Sequence, residues 1–257
     1  MDMFNASLPY LPLTFFVFVA GFVDSIAGGG GLITLPAYLA FGVPPALVLG
    51  TNKLSSSMGT LVAAAKFLKE TRFKADFLFI LIFVAAVGAF LGARAISLVS
   101  PEMIRYLLIA TLPPIAIFLL WRRRFGLVDT SRQHSPNALL ARSSGISFSV
   151  SFYDGLLGPG TGTFLALAYT RLCGFDLLRS TALAKLLNLT SNVAALAAFL
   201  YLGRVNVELG LAMGLAGMAG NYAGSHLALK KGAWVIRPML AVICASLLLK
   251  VAWDLLK

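Results

Sequence analysis

Charge is scarce in this chain. Only 12% of its 257 residues are Asp, Glu, Lys or Arg, and only 10 of those are acidic. A soluble domain carries about twice that share of charge. Cysteine is nearly absent: Cys173 and Cys244 lie far apart in apolar surroundings, which excludes a disulfide framework or a cysteine metal site. Two histidines, His134 and His226, exclude a multi-histidine metal centre. There is no His-Glu metal motif, no G-x-S-x-G elbow, and no convincing nucleophile beside a base. Enzymatic chemistry, a cofactor and a resident metal are therefore not expected.

What remains is apolar. Hydrophobic residues make up 59% of the chain, and the mean hydropathy is +0.87. A bilayer-crossing helix needs about 20 apolar residues. The composition predicts an all-α, polytopic transmembrane bundle of about 8–10 segments, with no soluble domain of any size. The net charge of +11 fits basic cytoplasmic loops better than nucleic acid. The stretch from Met1 to Phe16 has no Lys or Arg before its apolar run. It is read as the outward-facing start of the first membrane segment rather than a signal peptide.

The chain repeats itself. Asp24 and Asp154, Gly28 and Gly158, and Gly30 and Gly160 are each 130 residues apart. After a two-residue slip the offset becomes 132, and it then relates Gly42 to Gly174, Lys53 to Lys185, Arg72 to Arg204, Gly88 to Gly220, Gly92 to Gly224 and Arg105 to Arg237. The reading is repeat 1 over 1–121, a basic linker over 122–138 and repeat 2 over 139–257. Each half opens with an apolar stretch, Pro9 to Ala27 or Leu139 to Leu157. A glycine cluster follows, Gly28 to Gly31 or Gly158 to Gly162. A short apolar piece comes next, Leu32 to Phe41 or Thr163 to Leu172. Three long segments complete each half: 46–68, 76–98 and 102–121, then 178–202, 206–228 and 234–255. The opening is either a hairpin or one broken helix. A hairpin gives each half an odd number of crossings, and hence inverted repeats.

Basic residues favour inversion. With the N-terminus outside, Lys69/Arg72/Lys74, the loop from Arg122–Arg124 to Arg142, and Lys230/Lys231 all face the cytoplasm, against the exceptions Arg204, Lys250 and Lys257. Parallel repeats leave Arg171, Arg179, Lys230, Lys231 and Arg237 misplaced. Inverted repeats with interrupted helices are a build of secondary transporters.

Irregular backbone survives at membrane depth only beside protein or a water-filled cavity. The glycine clusters Gly28, Gly29, Gly30, Gly31 and Gly158, Gly160, Gly162 therefore mark the expected site. The short helices after them present free N–H groups and positive dipole ends to an anion. Thr161 and Thr163 can add hydroxyls, and Thr34 sits one turn into the first short helix. Lys53 and Lys185 stand inside apolar segments with Asn52 and Asn188 close by, and intramembrane ionisable groups mark function by default. Asp24 and Asp154 are read as coupling groups, or as ion-pair partners of the lysines. Arg94 and His226 read as interface anchors. Gly88/Gly92, Gly220/Gly224 and Gly210/Gly214 read as helix packing.

The runs GFVDSIAGGGGLITLPAYLAFGVPPALVLGTNKL and FYDGLLGPGTGTFLALAYTRLCGF resemble the TauE/SafE family of membrane transporters, most of all its YfcA-like branch, over essentially the whole chain. The resemblance implies a multi-pass protein of the bacterial inner membrane that exports small sulfur-containing anions of the sulfite, thiosulfate or organosulfonate class. The alternatives are an anion channel, or a transporter of another small organic anion. Expected partners are the anion, the lipid bilayer and a coupling proton or ion, with a second copy of the chain as an open option and nucleic acid excluded.

Overall fold

The computed structural model describes residues 11–96, 126–236, 238, 239 and 242. The expected segments 102–121 and most of 234–255, with Arg105, Arg122–Arg124, Arg237, Cys244, Lys250 and Lys257, lie outside the described residues. Within them the chain is all-α. It forms α1 (Leu11–Ala27), α2 (Gly31–Ala40), α3 (Pro45–Glu70), α4 (Ala75–Ala95), α5 (Pro136–Leu156), α6 (Thr161–Leu172), α7 (Leu177–Tyr201) and α8 (Val207–Lys231), with a short 3-10 turn at Ser131–Gln133.

Local chemistry explains the boundaries. Pro45 and Pro136 occupy the first turns of α3 and α5, where no N–H is needed. Side chains of Ser135, Asp176 and Asn206 accept from the backbone N–H groups of Ala138, Arg179 and Leu209 and cap α5, α7 and α8. The Ser135 cap starts α5 three residues before the expected Leu139. Likewise α6 begins at Thr161 rather than Thr163, because Gly160 has already completed the turn.

Both openings are helical hairpins, not broken single helices. Leu13 and Val17 of α1 share an apolar cluster with Ala37 and Tyr38 of α2, so α2 folds back along α1. In the second half the Ser147 hydroxyl pairs with that of Tyr169 at 2.7 Å, and Ser143 lies against Cys173 at 3.5 Å, so α6 folds back along α5.

Glycines set the other contacts. A Cβ on Gly88 or Gly92 of α4 would strike the Phe148 or Phe152 carbonyl of α5, and one on Gly220 or Gly224 of α8 would strike the Phe18 or Phe22 carbonyl of α1. Both numberings rise together, so these pairs run parallel. Gly210 and Gly214 receive Leu54 and Met58 of α3 in the same sense. By contrast, Leu49 near the start of α3 clusters with Ala195 and Phe199 near the end of α7. Phe67 near the end of α3 clusters with Leu177 and Ala182 at the start of α7. Leu81 and Ala85 of α4 share a cluster with Leu183 and Leu187 of α7, and Ala93 with Ala195 and Ala198. Thus α1, α3 and α8 point one way and α4, α5 and α7 the other.

The interior holds many polar side chains beside its apolar clusters, and large apolar side chains face outward. Thr51, Ser143, Ser147, Ser180 and Ser191 are fully buried, whereas Phe79, Phe83 and Leu215 are exposed by 72%, 63% and 65%. Polar residues in a soluble protein are mostly exposed. Only α4 and α7, among the described residues, are both long and apolar enough to cross a bilayer on composition alone. The other long helices have the length but carry their polar or glycine residues inward.

The glycine contacts give a test. Gly92→Ala is expected to cost about 1–3 kcal/mol through forced backbone separation. Gly145→Ala, which meets nothing within 4 Å, is expected to gain about 0.5–1 kcal/mol. Unfolding of the detergent-purified protein checks both.

Candidate functional site

The hairpin tips meet at the centre of the bundle. Gly28 and Gly29 adopt φ of +85° and +86°, and Gly158 and Gly160 of +90° and +82°, a region open to glycine at little cost. The tips then touch. The Thr163 hydroxyl donates to the Ala27 carbonyl at 2.8 Å, and a Cβ on Gly162 would lie 2.9 Å from the Gly28 Cα. Gly31, at the start of α2, faces Pro159 of the opposite tip. Two helix N-termini, of α2 and α6, are thereby brought together from the two halves.

Two ion pairs cross between the halves. Lys53 Nζ of α3 donates to Asp154 Oδ2 of α5 at 2.7 Å, with side-chain exposures of 4% and 2%. Asp154 also accepts from the hydroxyls of Thr161 at 2.7 Å and Ser191 at 2.6 Å. Lys53 donates a second bond to Asn192 Oδ1 at 3.0 Å. The counterpart pair is looser. Lys185 Nζ of α7 reaches Asp24 Oδ2 of α1 at 3.3 Å and also donates to the Asp24 carbonyl. Asp24 Oδ1 accepts from Gly30 N–H at 3.1 Å, and its side chain is 15% exposed. A carboxylate at each tip thus sits where helix N-termini favour it. Pairing lets four ionised groups stay inside the bundle, since an unpaired buried charge is far more costly.

A small cavity of about 40 Å3, lined largely by polar and glycine residues, opens beside the tips. Of the residues singled out from sequence, Asp24, Gly29, Gly30, Gly31, Thr34, Asn52, Lys53, Asp154, Gly158, Gly160, Thr161, Gly162 and Asn188 line it. Gly28 and Lys185 stand behind the wall, Gly28 in the contact between tips and Lys185 on Asp24. The threonine hydroxyls are spent inside the protein: Thr161 on Asp154 and Gly158, Thr163 on Ala27, and Thr34 on Asn52 Oδ1 at 2.6 Å and Gly30. These bonds brace the tips. Sequence reading missed Ser55, Ser56 and Thr60 of α3 and Asn221 of α8, which also line the cavity. For the first three the polar run after Lys53 was the available signal.

At the end of the bundle where α3 and α8 finish, the linker docks on the loop between α6 and α7. Thr130 N–H donates to the Gly174 carbonyl at 2.7 Å, and Leu177 N–H to that of Gly126 at 2.9 Å. Asp129 Oδ2 accepts from Arg179 Nη1 at 2.5 Å, and that guanidinium lies 4.9 Å over Phe73 and 5.1 Å over Phe175. Partial burial pushes the Asp129 carboxyl up, but hydrogen bonds from the Ser131 hydroxyl and N–H and from Arg179, with its charge, outweigh that and hold it below the usual range. A carboxyl lowered on folding adds stability above its unfolded pKa and loses it as pH falls through the folded value. Asp129→Asn is accordingly expected to cost at most about 1 kcal/mol at neutral pH, and nothing in acid below that range; unfolding measured at both pH values checks it.

The sulfite exporter TauE/SafE family matches residues 13–251 of the chain. The probable membrane transporter YfcA of Escherichia coli K12 is 38% identical over 261 aligned residues, covering 99% of this chain and 95% of its own. The probable membrane transporter ORF9 of a Sinorhizobium species is 38% identical, covering 92% and 90%. A more distant relative, the probable membrane transporter YdhB of Bacillus subtilis, is 23% identical over 80% of this chain. No solved structure matches.

Proposed function

The chain belongs to the TauE/SafE family of membrane transporters, and from that premise we propose that it is a multi-pass secondary transporter of a small sulfur-containing anion, exporting it across the bacterial inner membrane by alternating access. The observation that carries this reading is the meeting of two glycine tips, one from each half, with the N-termini of α2 and α6 beside a polar cavity flanked by crossed ion pairs.

The opposed directions of α1 and α5, and of α3 and α7, support inverted repeats. Such repeats can exchange roles when a carrier turns its site from one face to the other. The apolar exterior suits hydrocarbon. Lys69, Arg72 and Lys74, Arg171 and Arg179, and Lys230 and Lys231 fall at one end of the bundle, with Arg94 and Arg204 at the other. The basic end is placed in the cytoplasm. In this reading Gly29, Gly30, Gly31, Gly158, Gly160 and Gly162 let the anion approach backbone N–H groups, with Asn52, Lys53 and Asn188 beside it. Asp24, the more open carboxylate, is the coupling group.

Ligand binding raises the apparent stability of a folded protein. Detergent-purified protein is therefore to be melted against sulfite, thiosulfate, organosulfonates, carboxylates and cations at fixed pH and ionic strength. A rise in Tm with sulfur anions, lost in Lys53→Ala, is the expected result. A rise with carboxylates or cations alone overturns the substrate class.

A further inference from the structure

Asn221 of α8 projects from a helix otherwise rich in glycine and alanine onto the cavity wall. It is 4% exposed. Its Nδ2 donates to the Gly217 carbonyl at 2.9 Å, which fixes the other end of the amide as oxygen. That Oδ1 is buried and has no hydrogen-bond partner among the described residues. A buried acceptor left unmatched costs about 1–3 kcal/mol. The offset of 132 places Ala89 at the corresponding position of the first half, so the repeat does not require an amide here. Gly21 and Gly59 leave no room beside it: a Cβ on either would come within 2.9 Å and 2.5 Å of Asn221 Nδ2. The side chain is thus clamped, with its oxygen left over.

The charged side chains around the cavity balance when ionised. Lys53, Lys185, Asp24 and Asp154 sum to zero in their two pairs. The N-termini of α2 and α6 add about half a positive charge each, and the C-termini of α1 and α5, which end at the same tips, about half a negative charge each. The site therefore has no surplus positive charge to offset a dianion, whose desolvation costs more than that of a monoanion.

Resting on the anion-carrier reading above, we propose that the cavity selects a monoanion that also carries an O–H or N–H donor, with Asn221 Oδ1 as the acceptor for that donor. The ligand's anionic oxygens meet the tip N–H groups and its donor meets Asn221. A fully deprotonated dianion brings a surplus charge and no donor, and a plain alkyl monoanion leaves the Asn221 oxygen buried and unmatched.

The test measures dissociation constants for size-matched probes on the purified full-length protein at fixed pH and ionic strength: 2-hydroxyethanesulfonate against propane-1-sulfonate, hydroxyacetate against propanoate, and sulfate as the dianion. In at least one pair the hydroxyl-bearing member is expected to bind roughly fivefold to tenfold tighter, with sulfate weaker than either. In Asn221→Ala that ratio falls to about one. Equal affinities within both pairs, sulfate as the tightest ligand, or a ratio that survives Asn221→Ala overturns the proposal while leaving the carrier reading intact. If Asn221→Ala does not fold, the wild-type ratio and the sulfate comparison decide alone. Binding of none of these anions, nor of any sulfur anion, removes the carrier reading and this one with it.

Discussion

Lys53→Met is expected to lower the unfolding free energy by about 3–5 kcal/mol, the cost of stranding a buried partner charge. Asp154 is 2% exposed, so little water reaches it to replace the ammonium. Thr161 and Ser191 would remain as its donors, and neither carries charge. The double variant Lys53→Met with Asp154→Leu is expected to recover most of that loss, because replacing a whole buried pair is often near neutral, yet to bind no anion. Lys185→Met is expected to cost less than Lys53→Met. Its partner Asp24 is more open, the contact is 3.3 Å rather than 2.7 Å, and Gly30 N–H still supports the carboxylate. Chemical unfolding of the four proteins in one detergent gives the order. A Lys53→Met protein as stable as the wild type would mean that the pair does not hold α3 against α5.

Gly28→Ala is expected to be far worse than Gly42→Ala, though both residues hold positive φ, of +85° and +79°. The conformational cost is shared, about 1–2 kcal/mol for a non-glycine residue. At Gly42 nothing lies within 4 Å of an added Cβ, whereas at Gly28 it would overlap the Thr163 N and the Gly162 backbone. Neither is a flexible side-chain end that can move aside. Gly28→Ala must separate the tips or deform α6, at a further cost of about 1–3 kcal/mol, and it breaks the cavity they border. Unfolding and anion-dependent melting of the two variants side by side isolate this effect. Similar losses in both would mean that the tips are not in close contact.

Much of the helical layout was legible in the chain. The long segments expected at 46–68, 76–98, 178–202 and 206–228 are α3, α4, α7 and α8 to within a few residues. Three of them start where Pro45 or the capping side chains of Asp176 and Asn206 fix the first turn. The glycine pairs four apart proved to be packing faces, as small residues spaced by one helical turn suggest. Partnership was not legible. Two aspartates and two lysines announce charge inside the bundle, but only the contact of α3 with the opposite half makes Lys53 the partner of Asp154 rather than Asp24. Nor does a hydroxyl's presence reveal whether it is spent. Thr34, Thr161 and Thr163 all bond within the protein, because each sits where a helix start or a tip offers a nearer acceptor. Asn221 escaped notice for the opposite reason: a lone amide in a glycine-rich helix carries no spacing pattern, and its meaning comes from the cavity it meets.

The claim that the two halves form a carrier around the joined tips is tested most directly by counterflow. Proteoliposomes holding the purified protein are loaded with an excess of the unlabelled anion that raises its Tm, then diluted into trace labelled anion. A carrier that turns one site between two faces gives a transient uphill accumulation of label, saturable in the unlabelled anion and absent in Lys53→Met with Asp154→Leu. Label that only equilibrates downhill, together with unitary currents in a planar bilayer, would contradict the account and make the same architecture a channel.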